Sequence, residues 1–136
     1  MNSDMIQEKI QVLKREISKL NTEVKENQKK IEKYERSIES IVSNDKSLSD
    51  IIHSILSKAG IAASNDNSNF GRYFHRNIND ILNSSGIYNV ETKNSQLKRE
   101  LKNNILESEN RISYLKNRIN EKENEIRYLK SKEGFQ

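Results

Sequence analysis

Residues 6–41 read IQEKIQVLKREISKLNTEVKENQKKIEKYERSIESI, and their apolar side chains recur with alternating spacings of four and three. Written as heptads, Ile10, Ile17, Val24, Ile31 and Ile38 occupy the a positions. Ile6, Leu13, Leu20, Asn27, Tyr34 and Ile41 occupy d. A β-branched residue at every a, with mostly apolar d positions, is the pattern of a helix that buries one narrow stripe against another helix. Asp4, followed three residues later by Gln7, suits a capping box at its start. The register continues through Leu48, Ile52 and Ile55, with Asp45 as the misfit at a. The spacing therefore predicts a first arm over about 4–58. The capping-box pattern Ser47-Leu48-Ser49-Asp50 leaves open a restart near Asn44.

A second arm, over about 91–132, repeats the pattern. Ile105, Ile112, Ile119 and Ile126 stand at a, and Leu101, Leu115 and Leu129 at d, while Ser108 and Lys122 interrupt d. Gly134 supplies a stop. A parallel homodimer of the first arm would set Lys9 against Lys14 and Glu16 against Asn21, leaving only Lys30 with Glu35 attractive. Pairing of the two arms with each other, antiparallel, avoids those contacts. The first arm spans roughly 80 Å at 1.5 Å per residue, and the return path from Asn69 to Lys132 is of similar length. The expected fold is all-α: one domain over 1–136, a long antiparallel helical hairpin or coiled coil with a short aromatic-rich helix at its turn end.

Composition agrees with a thin molecule. The chain has 136 residues, of which 32% are apolar and 32% charged, against roughly 45–50% apolar in globular domains. Proline is absent, so nothing of that kind interrupts long helices. Cysteine is absent too, which removes disulfide and thiolate chemistry. The net charge of +4 comes from 24 basic residues interleaved with 20 acidic ones. Pairs such as Glu26–Lys30, Glu32–Arg36, Glu107–Arg111 and Glu123–Arg127 fall at i,i+4 and read as a solvated helix face, not a phosphate track. No nucleic-acid partner is expected. The N-terminal MNSDMIQEKIQ has neither a basic n-region nor an apolar h-region, so no Sec-type signal is expected. No apolar run reaches the roughly 18 residues of a membrane span. The protein is expected to be cytoplasmic when made.

Between the arms, Gly60 and AASNDNSN read as a loop over 59–68, with Ser68 or Asn69 capping a helix over 69–85. Phe70, Tyr73, Phe74, Ile78, Ile81 and Leu82 form its apolar face, and Gly86 breaks the chain after it. The aromatics would cap the open turn end of the hairpin and would also serve as a docking surface. Gly71, one turn into the helix, suggests close backbone packing.

An aromatic-and-glycine motif between two heptad arms resembles the WXG-type small helical-hairpin proteins of type VII secretion, the YwqH-like subgroup above all. Gly71 matches the glycine of the Trp-x-Gly motif and Phe74 the phenylalanine that follows it. Asn69 stands at the tryptophan position, with Phe70 one residue late. The Tyr-x-x-x-Asp/Glu export signature is not matched, since Arg118 follows Tyr114 and Lys132 follows Tyr128 at that spacing. The resemblance implies a non-catalytic partner, chaperone or targeting factor. Its partner would be the helical N-terminal domain of an LXG-type toxin, with a second small helical protein alongside and export by a route that reads no Sec signal. The alternative from the residues alone is a self-assembling structural coiled coil, a homo-oligomer such as a phage or cell-architecture spacer.

Catalytic chemistry finds no residues. His53 and His75 share no metal-ligand spacing. DNSNFG, from Asp66, lacks the acidic twelfth residue of a calcium loop, where Asn77 stands. No phosphate loop, nucleophile elbow or paired buried carboxylates occur. No enzyme activity, metal or cofactor is expected.

Overall fold

The computed structural model describes residues 2–65 and 69–134; the side chains of residues 62–65 and of Phe70 lie outside the description. The described residues form three α-helices: α1 (Ser3–Asn65), α2 (Asn69–Ser84) and α3 (Ile87–Glu133). They divide into two compact units, Met1–Glu35 with Asn103–Gln136 (unit 1) and Arg36–Lys102 (unit 2).

In unit 1 the opening segment of α1 and the closing segment of α3 pack antiparallel. Ile6, Ile10 and Leu13 meet Ile126 and Leu129 in one buried cluster. Val24 meets Leu115 and Ile119 in a second, with Ile17 packed against both. Ile6, Ile10 and Leu115 are fully buried. Each such side chain contributes about 1.5–3 kcal/mol of transfer free energy. Polar contacts across the seam fix the same register. Gln7 Nε2 donates to Glu133 at 2.6 and 2.7 Å, Lys122 Nζ reaches Glu16 at 2.8 Å, and Arg111 reaches Glu23 at 2.7 Å.

The helix starts at a different cap from the one its sequence suggests. Asn2 Oδ1 accepts the Met5 N–H at 2.8 Å, which meets a backbone donor that no helical carbonyl reaches. Gln7, the expected partner of an Asp4 box, is held instead by Glu133. At the other end α3 stops at Glu133, with Lys130 and Lys132 in its last turn, where cations suit the helix dipole. The Gly134 N–H donates back to Lys130 at 3.2 Å.

Unit 2 contains the remainder of α1, all of α2 and the opening of α3. Here α1 is longer than the heptads imply. It is unbroken through Asn44 and Ser47–Asp50 and continues to Asn65, so residues 59–65 are helix, not loop. One glycine in a helix costs only about 1 kcal/mol against alanine, and the neighbouring Ala59, Ala62 and Ala63 are strong helix formers. Residues 66–68, with the proposed Ser68 cap, lie outside the described residues. Gly86 does separate α2 from α3. Its φ of +81° suits a glycine, and its carbonyl accepts the Val90 N–H at 3.2 Å, starting α3 four residues earlier than Glu91. Ser85 Oγ accepts the Ile87 N–H at 3.4 Å and completes that start.

Candidate interaction surface

The seam residues do not share one environment. In unit 1, Ile6, Ile10, Leu13, Val24, Leu115, Ile119, Ile126 and Leu129 are buried, and Ile17, Leu20 and Ile112 pack against them half-buried. Ile31, Tyr34 and Ile105, farther along the same helices, are only half-buried. Between these stretches lie Asn27 and Ser108, 8% and 7% exposed. Both occupy d positions, one turn beyond the Glu23–Arg111 pair, and form a polar layer in the stripe. Asn27 Nδ2 donates to the Glu23 carbonyl at 2.9 Å. Buried polar side chains at such positions fix register at a cost in stability.

Beside this layer is a shallow concavity of about 250 Å³, lined by Asn27, Lys30, Tyr34, Asn104, Glu107 and Ser108. It falls short of the roughly 300–1,000 Å³ of small-molecule sites. Among the described residues no group of His, Asp or Glu could hold a metal ion, and no helix is long and apolar enough to cross a membrane.

Lys122, read in the sequence as an interruption of d, is 19% exposed along its side chain and ends on Glu16. The aliphatic stem continues the apolar stripe while the ammonium reaches the edge. Hydrogen bonding from Lys122, reinforced by its charge, holds the Glu16 carboxyl below the usual range. Arg111, which the i,i+4 rule would assign to Glu107, pairs across the seam with Glu23 and lies over the Tyr114 ring at 5.2 Å.

In unit 2 the seam positions Ile38, Ile41, Leu48 and Leu101 are half-buried, and the well-buried apolar residues are Ile52, Ala59 and Leu82. Large apolar side chains lie open on all three helices: Ile51, Ile55 and Ile61 on α1, Tyr73 and Ile81 on α2, Tyr88, Val90 and Leu97 on α3. Asp45, the misfit at a, accepts a hydrogen bond from Asn94 at 2.7 Å and pairs with Lys98 at 3.3 Å. Those contacts, Asn94 first, lower its pKa. The one sequence signal of this cluster was an acid where a heptad wants a hydrophobe.

Of the aromatic motif, the described side chains Tyr73 and Phe74 are exposed where a buried cap was expected. Tyr73 is 62% exposed, Phe74 41% and Ile81 60%, while Ile78 is half-buried. Gly71 and Leu82 take the buried side of α2. Tyr73, Phe74 and Ile81 lie about 80–180° round the helix from Leu82, at about 100° per residue, so they point elsewhere. The Phe70 side chain lies outside the described residues. Arg72 and Arg76, one turn apart and a pair the heptad reading passed over, line a shallow concavity with Asn69 and Tyr73. No protein-family model, curated protein or solved structure matches this chain.

Proposed function

We propose that this chain is a non-catalytic partner protein that pairs with the helical domain of a larger protein. The observation that carries the reading is the open apolar surface of unit 2, whose Ile51, Ile61, Tyr73 and Ile81 are 57–62% exposed. Scattered exposed hydrophobes are ordinary, but a concentration of them in one unit marks an interaction surface. Unit 1, with its matched charges and buried clusters, would serve as the rigid clasp. In this reading the heptads of α1 and α3 form a long antiparallel coiled-coil hairpin with α2 at its turn end. By the resemblance of its motif, the partner would be the N-terminal domain of an LXG-type toxin of type VII secretion. The chain would act as chaperone or targeting factor, with a second small helical protein in the complex. Co-expression with a genomic neighbour bearing a long N-terminal helical domain is expected to give a complex that copurifies. A chain that stays monomeric and equally heat-stable beside every such neighbour would contradict the proposal.

A self-assembling structural role has one observation of its own. On the outer side of α1 in unit 1, Met5 and Val12 are exposed a heptad apart and line a shallow concavity with Glu8 and Lys9. Light scattering separates the readings: a uniform dimer or tetramer of the purified chain favours self-assembly, a monomer the partner role.

A further inference from the structure

The outward side of α3 in unit 1 carries a second heptad stripe, turned away from the seam of Leu115, Ile119 and Ile126. Its members alternate by three and four: Glu107, Asn110, Tyr114, Asn117, Glu121, Asn124 and Tyr128. At about 100° per residue all seven fall within an arc of about 100°, and all are exposed. One row of the stripe is asparagine in every heptad, whereas the same row of α1 reads Glu8, Arg15, Thr22 and Lys29. Asparagine is a poorer helix former than lysine or glutamate, so helix formation does not account for that row. The other row alternates carboxylate and phenol. Each phenol holds a cation: Arg111 lies over the Tyr114 ring at 5.2 Å and Lys132 over the Tyr128 ring at 4.9 Å.

We propose that two copies of the chain pair through this face of α3, antiparallel, about a two-fold axis at Asn117. The inference rests on the self-assembling reading and places its contact on α3, not on Met5 and Val12 of α1. What selects a second copy is that the stripe complements itself when reversed. Tyr114 with its Arg111 meets the second copy's Glu121, and Tyr128 with its Lys132 meets the second copy's Glu107. Two-fold symmetry makes each contact twice. Phenol and cation both offer hydrogens to a carboxylate, and such charge-assisted bonds are stronger than neutral ones. Along the other row Asn117 faces Asn117 and Asn110 faces Asn124. An amide both donates and accepts, so one row of asparagines matches another. A parallel pair would instead set Glu107 on Glu107 and Glu121 on Glu121, which repel. The contact runs for about 32 Å, from Glu107 to Tyr128, and uses no residue of unit 2.

The chain has no cysteine, so single cysteines report the pairing. Asn117→Cys sits on the axis and is expected to give a covalent dimer under mild oxidation, since a disulfide needs Cα atoms about 4.4–6.8 Å apart. Asn110→Cys alone should not link, because its counterpart lies about 21 Å away along the helix. Mixed with Asn124→Cys, it should. Lys29→Cys, on the outward side of α1, should not link on a non-reducing gel. Sedimentation equilibrium of the cysteine-free chain then tests the charges. Glu107→Lys and Lys132→Glu each place like charges in two symmetric contacts and should weaken the dimer about tenfold. The double variant should recover it, with circular dichroism showing that helix content is kept throughout. Linking of Asn110→Cys alone means a parallel pair and overturns the proposal. So does equal linking of Lys29→Cys, or a double variant no tighter than the singles. A chain that is monomeric at every concentration overturns the proposal and the self-assembling reading together. A dimer that Asn117→Cys does not link and the charge variants do not alter overturns the proposal alone and keeps that reading.

Discussion

Unit 1 and unit 2 are built from the same two long helices, yet they use apolar side chains in opposite ways. Between Ile6 and Val24, α1 turns its β-branched stripe onto Leu115–Leu129 of α3, and cross-seam ion pairs line the edges. In unit 2 the stripe is half-buried and further hydrophobes face outward from all three helices. Two helices can enclose only the atoms along their line of contact. Where side chains are apolar beyond that line, as at Ile51, Ile61 and Ile81, they stay 57–60% exposed. The two units thus differ in that unit 1 closes its apolar stripe and unit 2 leaves large apolar side chains open.

The largest effect should come from the closed seam. Leu115→Ala empties a fully buried site and is expected to cost about 2–5 kcal/mol, whereas Ile51→Ala, on the open surface, should stay within about 0.5 kcal/mol. Urea denaturation of both variants checks the contrast. Equal losses would mean that Ile51 is as buried in solution as Leu115.

Next comes the polar layer. Asn27→Leu combined with Ser108→Leu replaces two buried polar groups by a matched apolar pair and is expected to raise stability by about 1 kcal/mol. The loosened register should appear as new oligomers in light scattering. Unchanged stability and a single unchanged species would show that the layer specifies nothing.

Two glycines of unit 2 should respond with opposite signs. Gly86→Ala forces an L-residue to a φ of +81° and should destabilise by about 1–2 kcal/mol. A Cβ on Gly60 would meet nothing within 4 Å, so Gly60→Ala should add about 0.5–1 kcal/mol of helix stability. Thermal melts followed at 222 nm read both.

The smallest effect is electrostatic. Glu16 in unit 1 and Asp45 in unit 2 both have carboxyl pKa values lowered by folding. Their contribution is therefore complete above the unfolded values and is lost as pH falls through the folded ones. Stability should be level above about pH 5 and decline below about pH 4. Glu16→Gln and Asp45→Asn should each flatten some of that decline, and melts across the acid range measure it.

Much of unit 1 could be read from the chain. The four-and-three spacing set a seam of Ile10, Leu13, Val24, Leu115, Ile119, Ile126 and Leu129, and charge conflict in a parallel pair argued for the antiparallel arrangement. Periodicity was informative there because a single contact line determines burial. It was silent on Asn2 as cap, since Asp4 and Gln7 offered an equally good local pattern and only the distant Glu133 decides where Gln7 goes. The length of α1 past Lys58 was likewise hidden, because a glycine followed by polar residues resembles a loop when its alanines are discounted. The α2 strip was partly legible. Its aromatic spacing was evident, but which residues would be covered depended on where Gly71 and Leu82 pack.

Hydrogen exchange of the isolated chain, followed by mass spectrometry, tests the division between the units most directly. Amides of residues 6–24 and 112–129 should be the most protected, and those of 48–61 and α2 should exchange much faster and gain protection when a copurifying partner is bound. Uniform protection across both units without a partner would contradict the account, because unit 2 would then already be closed on itself.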